Sequence, residues 1–260
     1  MMNSTLPKAS KLVLLVFAGL ALLAPLPYSI ISPGNAINVV EKVITPAKGL
    51  ENTIKTYKSD GELMLLTIMV TYPNAYVTGG QAIYSWMRAD QVVLPKSVLY
   101  TPGLSVKAEE KKSTKEMVDS QLSAKQAALN YLQSKYYELR SIKPSDIRIS
   151  LADTGGPSAG AAFALGIIEL LTEDDLLDGR KIAVTGTISA TGDIGEIGGV
   201  NEKIIAAKKA GATLVLIPAA NCKYVDSIPE GIEIAAVSSL DQAIAAFNSA
   251  NPLGCASVGA

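Results

Sequence analysis

The chain of 260 residues contains no histidine. Every mechanism that borrows an imidazole as general base or metal ligand is thereby excluded, and with it most familiar hydrolases and many zinc sites. Cysteine is nearly absent as well. Cys222 and Cys255 lie far apart without metal-type spacing, which leaves one disulfide, two free thiols or a link to another chain. A surplus of positive charge is also missing: 23 Lys and Arg stand against 24 Asp and Glu. The basic field that nucleic-acid binding needs is therefore lacking, and DNA and RNA are not expected as partners. Hydrophobic residues make up 48% of a chain of this length, enough to bury the cores of about two modest domains.

One long hydrophobic run is present. From Leu12 to Ile31 the sequence carries no charge and approaches the roughly 20 residues that cross a bilayer as a helix. Lys8 and Lys11 precede it, so the positive-inside tendency keeps residues 1–11 in the cytoplasm and sends everything after Ser32 to the other face. The expectation is a single-pass cell-membrane protein with residues 12–31 as signal anchor and an extracytoplasmic remainder. A cleaved signal peptide ending at Ala24 is the competing reading, against which Pro25 makes a poor cleavage context. Pro25 and Pro27 also stand where they can end the helix early.

Beyond the run, residues 32–143 read as an extracytoplasmic N-terminal region. An extended Pro- and Gly-containing segment leads to a strand at Glu62–Tyr72, a short helix follows near Ile83–Met87, and a charged loop spans Val106–Ser113. The longest helix outside the membrane run is expected at Thr114–Tyr137. After Pro144 the pattern shortens to strand Ile147–Leu151, apolar helix Ser158–Leu171, strand Lys181–Ile188 and a turn at Gly192 and Gly195. Helix Asn201–Ala210, strands Thr213–Ile217 and Ile232–Val237 and helix Leu240–Ser249 complete it. Strands alternate with helices, so an α/β (α+β) domain is expected over 144–250, with 251–260 as a tail.

Gly156-Pro157-Ser158-Ala159-Gly160 fits the G-x-S-x-G pattern that sets a serine on a tight turn before a helix, with small neighbours admitting a substrate backbone. A serine beside proline at a helix start is also a common cap. The phosphate-loop reading fails, because Gly160-Ala161-Ala162 stands where G-K-[ST] is required. With no histidine available, a nucleophilic Ser158 needs another base, and the alternative is a lysine held neutral near working pH. Lys203 falls in the helical stripe of Ala206, Ala207 and Ala210, while Glu202, Lys208 and Lys209 project elsewhere. Its place in the first helical turn and its apolar company both disfavour the ammonium form. The plainer alternative is a surface lysine that snorkels.

Ser158 and Lys203 with their surroundings resemble the proteolytic domain of the Lon family. The blocks are GGPSAG (Gly155 to Gly160), TGTISATGDIGEIGGVNEK (Thr185 to Lys203) and AAKKAGATLVLIPAAN (Ala206 to Asn221). The resemblance covers about Ile147 to Phe247. It implies a Lon-type proteolytic domain with a small N-terminal annex, Ser158 as nucleophile and Lys203 as base. Thr185 is implied to hydrogen-bond and orient the lysine. Two departures stand out: Asn201 replaces the first lysine of the G-G-x-K-E-K block, and Gly155 occupies a position that is often acidic, with Asp153 close but shifted. The chain is also similar to bacterial membrane-anchored Lon-like proteases that carry a PDZ domain, sharing one span followed by Ser32-Pro33-Gly34. Neither a PDZ domain nor an ATPase module is expected here.

The implied activity is ATP-independent serine endopeptidase action on protein or peptide substrates at the outer face of the membrane, without cofactor or metal. Backbone N–H groups of the turn built from Gly156, Pro157, Ala159 and Gly160 are candidates to hold the oxyanion. The resemblance alone implies a homo-oligomeric ring. Rival readings are a catalytically idle, membrane-tethered binding module and an amidase or esterase using the same dyad.

Overall fold

The computed structural model describes residues 7–40, 43–152, 154–250 and 252–258. In chain order the elements are α1 (Lys8–Leu23), β1 (Pro25–Leu26), β2 (Tyr28–Asn38), β3 (Ile44–Pro46), β4 (Glu62–Val70), β5 (Val77–Thr78), α2 (Gly79–Trp86), β6 (Val92–Pro95), α3 (Lys96–Leu99) and α4 (Val106–Lys135). There follow β7 (Ile147–Ile149), α5 (Gly160–Leu171), β8 (Lys181–Val184), β9 (Thr187–Ile188), β10 (Ile194–Gly195), α6 (Val200–Lys209), β11 (Leu214–Pro218), β12 (Glu233–Val237), α7 (Leu240–Phe247) and α8 (Cys255–Val258). The chain divides into two compact units, one of residues 1–32 and 69–106, the other of 33–68 and 107–260.

The first unit corrects the reading of the hydrophobic run. The helix covers Lys8–Leu23 rather than Leu12–Ile31, and Tyr28–Ile31 pairs antiparallel with β6 as a strand. Pro25 and Pro27 are the physical reason. Each lacks an N–H, and each pushes its predecessor out of the helical region, which Ala24 shows with ψ 130°. Among the described residues no helix is long and apolar enough to cross a membrane. The start of α2 is fixed by a reciprocal cap: Gln81 N–H donates to Thr78 Oγ1 at 3.2 Å and Thr78 N–H donates to Gln81 Oε1 at 2.9 Å. A Cβ at Gly79 would run into the carbonyl of Ala21, so glycine is what lets α2 approach the end of α1.

The second unit is built on parallel pairing of β4 with β8, β8 with β11 and β11 with β12. Alternation along these strands feeds two separate cores. Leu63, Leu65, Ile182, Val184, Leu214 and Leu216 enter one, which also takes the inner faces of α4, α5 and α7. Met64, Leu66, Ala183, Val215 and Ile217 enter the other, beneath α6. Every residue of α5 is buried, which explains its nearly unbroken apolar sequence.

Three further boundaries differ from expectation. Val106–Ser113 is the first part of α4, not a loop; Lys and Glu are good helix formers, and a charge-rich run continues a helix readily. The strand expected at Lys181–Ile188 breaks at Thr185 and Gly186, and the turn at Gly192 closes an antiparallel β9–β10 pair. Residues 33–68 and 107–143 belong to the same unit as 144–250, so the compact units do not follow the expected boundary at 143.

Cys222 and Cys255 are joined, with Cα atoms 5.2 Å apart. The bridge ties the end of the chain to the short 3-10 turn Ala219–Tyr224, while Ala236 N–H donates to Leu253 O at 2.8 Å along β12. Closing a loop with sequence separation 33 stabilises by roughly 3–4 kcal/mol in the chain-entropy account. Cys222→Ser is expected to lower unfolding stability by about that amount, and reductant should destabilise the wild type but not the variant. Equal stability with and without reductant would show that the bridge contributes nothing.

Candidate functional site

Ser158 lies in the turn that leads into α5. Gly156 adopts φ +82°, a left-handed conformation open to glycine at no steric cost, and its N–H donates to Ser113 O on α4 at 3.0 Å. Pro157 and Ala159 flank the serine, and Gly160 opens the helix. A side chain at Gly160 would collide with Ile188 and Ser120, so the small residues of the pentapeptide reflect tight packing behind the turn. The Ser158 carbonyl accepts from Gly186 N–H at 2.9 Å and from Thr185 Oγ1 at 3.2 Å. Among the described residues, no acceptor meets the N–H of Ser158 or of Ala159.

Lys203 comes to the same place from α6. That helix starts after Gly199, in the left-handed region at φ +66°, where an added Cβ would crowd Ile68. Asn221 holds the preceding turn by a reciprocal pair: its Nδ2 donates to Ile197 O at 2.8 Å, and Ile197 N–H donates to its Oδ1 at 3.0 Å. Lys203 Nζ then lies 2.8 Å from Ser158 Oγ and 3.1 Å from Thr185 Oγ1. The lysine is 2% exposed and Thr185 is fully buried.

Burial pulls the Lys203 amine down from its ordinary value to about 7. Among the described residues no carboxylate pairs with the ammonium, and burial is the cause of the shift. In the neutral form the amine carries two protons and one lone pair. Thr185 spends its single hydroxyl proton on the Ser158 carbonyl and can only accept from Nζ, so Nζ donates one proton to Thr185 and is left with a lone pair for the Ser158 hydroxyl. A serine oxygen beside a neutral amine, with two unclaimed backbone donors alongside, is equipped for attack on a carbonyl.

Residues 98–247 match the family model of the Lon protease (S16) C-terminal proteolytic domain. The chain belongs to this family. It is 31% identical over 188 residues to a Lon protease of Bacillus thuringiensis, covering 64% of this chain and 23% of that protein. It is 32% identical over 152 residues to Lon protease 2 of Herpetosiphon aurantiacus, covering 54% and 18%, and 41% identical over 93 residues to a Lon protease of Rickettsia prowazekii, covering 34% and 12%. The chain thus spans less than a quarter of the length of these relatives.

Within this Lon-type domain, Gly155 has a steric explanation. A Cβ there would overlap Ser113 Oγ on α4, so a larger side chain at this position would require that hydroxyl to turn away. Asp153 lies outside the described residues. Asn201, which replaces a lysine of the family block, donates through Nδ2 to Tyr224 O at 2.9 Å and to Asp226 at 2.8 Å. Glu202, expected to project away from the buried stripe, is itself 5% exposed, and burial raises its pKa; its place in the first turn of α6 favours a carboxylate there. Sequence reasoning missed Ser113, Ser120, Gly186 and Asn221. Gly186 and Asn221 had a signal, their places in the second and third family blocks.

Proposed function

We propose that this chain is a serine endopeptidase in which Ser158 is the nucleophile and Lys203 the general base, acting without ATP. The carrying observation is the 2.8 Å approach of Lys203 Nζ to Ser158 Oγ in a pocket that lowers the amine to about 7. Neutral Lys203 takes the Ser158 hydroxyl proton as Oγ bonds to the peptide carbonyl carbon, and the Ser158 and Ala159 N–H groups receive the developing oxyanion. Lys203 then gives that proton to the departing amine as the C–N bond breaks. Water repeats the sequence on the ester: Lys203 removes its proton, the C–O bond to Ser158 breaks, and the serine regains a hydrogen. Thr185 holds the amine in line throughout. The test is cleavage of casein and of short peptides by the purified chain without nucleotide. Absence of cleavage between pH 6 and 9 would remove the peptidase reading.

The proposed setting is the outer face of a membrane, with α1 as anchor. Leu12 to Leu23 carries no charge, and Leu12, Leu15, Phe17, Leu20 and Leu23 are all exposed. Lys8 and Lys11 stand at its cytoplasmic end. At 16 residues the helix is about 24 Å long, short of a bilayer core of about 30 Å, so anchoring through α1 requires the bilayer to thin around it. A disulfide suits an oxidising compartment. The full chain is expected to float with phospholipid vesicles in a density gradient, and Leu15→Glu/Leu20→Glu to stay at the bottom. Wild type remaining unbound would remove the anchor.

A further inference from the structure

Ser120, on α4, is 5% exposed and lies 37 positions before the turn that it touches. Buried helical serines commonly return their hydroxyl to a carbonyl one turn back. Ser120 Oγ instead donates at 2.9 Å to the carbonyl of Pro157, which also accepts from Gly160 N–H at 3.3 Å. That carbonyl belongs to the peptide plane whose nitrogen is Ser158 N. In a trans peptide C=O and N–H point in opposite directions, so fixing the carbonyl against α4 turns the Ser158 N–H away from α4. The same N–H meets no acceptor among the described residues. The next plane is fixed too, because Thr185 and Gly186 hold the Ser158 carbonyl. Ser158 therefore sits between two clamped peptide planes, and the first clamp is a side chain.

The rest of α4 is shaped to make this contact. Ser113, Met117, Ser120, Ala124 and Ala127 recur at intervals of four and three along its inner face. Ser113 takes the Gly156 N–H at one end of the turn, and Ser120 takes the Pro157 carbonyl. A Cβ at Gly160 would approach Ser120 Oγ to 2.8 Å, so the glycine that opens α5 also makes room for this hydroxyl.

We propose that Ser120 is a positioning residue that aims the Ser158 backbone N–H at the oxyanion of the substrate. This rests on the peptidase reading above. Without Ser120 the carbonyl keeps only the 3.3 Å bond from Gly160 N–H, and the looser peptide plane weakens a donor used chiefly in the transition state; such a loss lowers kcat and leaves KM in place. The test uses the full chain with Ser120→Ala, and with Ser120→Cys as the variant of nearly the same shape and a much weaker donor. Cleavage of a peptide substrate is followed across pH, together with inhibition by a peptide aldehyde, whose adduct with Ser158 carries the oxyanion. Expected for both variants are a fall in kcat on the order of tenfold, unchanged KM, an equal rise in the aldehyde inhibition constant and an unmoved pH midpoint, with Ser120→Cys retaining more activity. Wild-type kcat in Ser120→Cys, a loss confined to KM, or a shifted pH midpoint would each overturn the proposal while the peptidase reading stands. A wild-type chain that neither cleaves nor binds the aldehyde would overturn both.

Discussion

Ser158→Ala and Lys203→Met are each expected to lower peptide cleavage by about 10⁴-fold or more, and the double variant to lose little beyond either single one. The two side chains act as one unit: the serine is a poor nucleophile until the amine accepts its proton, and the amine has no other substrate-directed task. The pH dependence should identify the base. Only neutral Lys203 can accept a proton, and its folded-state value is about 7. Activity should therefore fall about tenfold per pH unit below that value and level off above it. No histidine exists in the chain to mimic this midpoint. Steady-state rates from pH 5 to pH 9 give the answer. A Lys203→Met enzyme that keeps wild-type activity, or a wild type whose rate rises only near pH 10, would end the assignment of Lys203 as base.

What could be read from the chain beforehand depended on how local its cause was. Ser158 and Lys203 were legible because each sits in a short pattern, a G-x-S-x-G turn and an alanine stripe at helical spacing, and because the missing histidine left few candidates for a base. Strands β4, β7, β8, β11 and β12 were legible to within a few residues, since short apolar runs between glycine and proline allow little else; β3 and the end of β2 lie in a stretch that read only as extended. The stretch from Leu12 to Ile31 was not. An uncharged apolar run suits both an exposed helix and a strand in a sheet, and only pairing with residues 92–95 assigns its last part to β2. Cys222 and Cys255 carried no local sign of partnership, because their approach depends on β12 and the turn at Ala219–Tyr224. Ser120 was invisible for the same reason. Its significance lies in a carbonyl 37 positions away, and nothing beside it in the sequence points there.

Lys203→Met is also expected to make the protein more stable, and to do so in a pH-dependent way. In the unfolded chain the amine titrates near 10.4, while in the folded chain burial holds it at about 7. Between these values the unfolded state binds more protons than the folded one, so the lysine's contribution to stability rises with pH through that window. Below about pH 7 its full cost is present, whether met by burying the ammonium or by losing its proton; above about pH 10.5 the cost is gone. At 1.36 kcal/mol per pH unit between about 7 and about 10.4, the cost below pH 7 is roughly 4–5 kcal/mol. Methionine fills a similar volume without a charge. Its gain is offset by about 1 kcal/mol for the hydrogen bond lost to Thr185. The comparison belongs in a Ser158→Ala background, so that neither sample digests itself, with urea unfolding at pH 6, 8 and 10. The variant should lead by roughly 3–4 kcal/mol at pH 6, and its advantage should shrink steadily toward pH 10. An advantage of constant size would mean that the amine does not change protonation on folding, and a loss at pH 6 would mean that Lys203 stabilises the fold. The expected pattern has a mechanistic meaning: the same desolvation that weakens the folded state keeps a base unprotonated at neutral pH, so stability given up at Lys203 supplies the reactivity of Ser158.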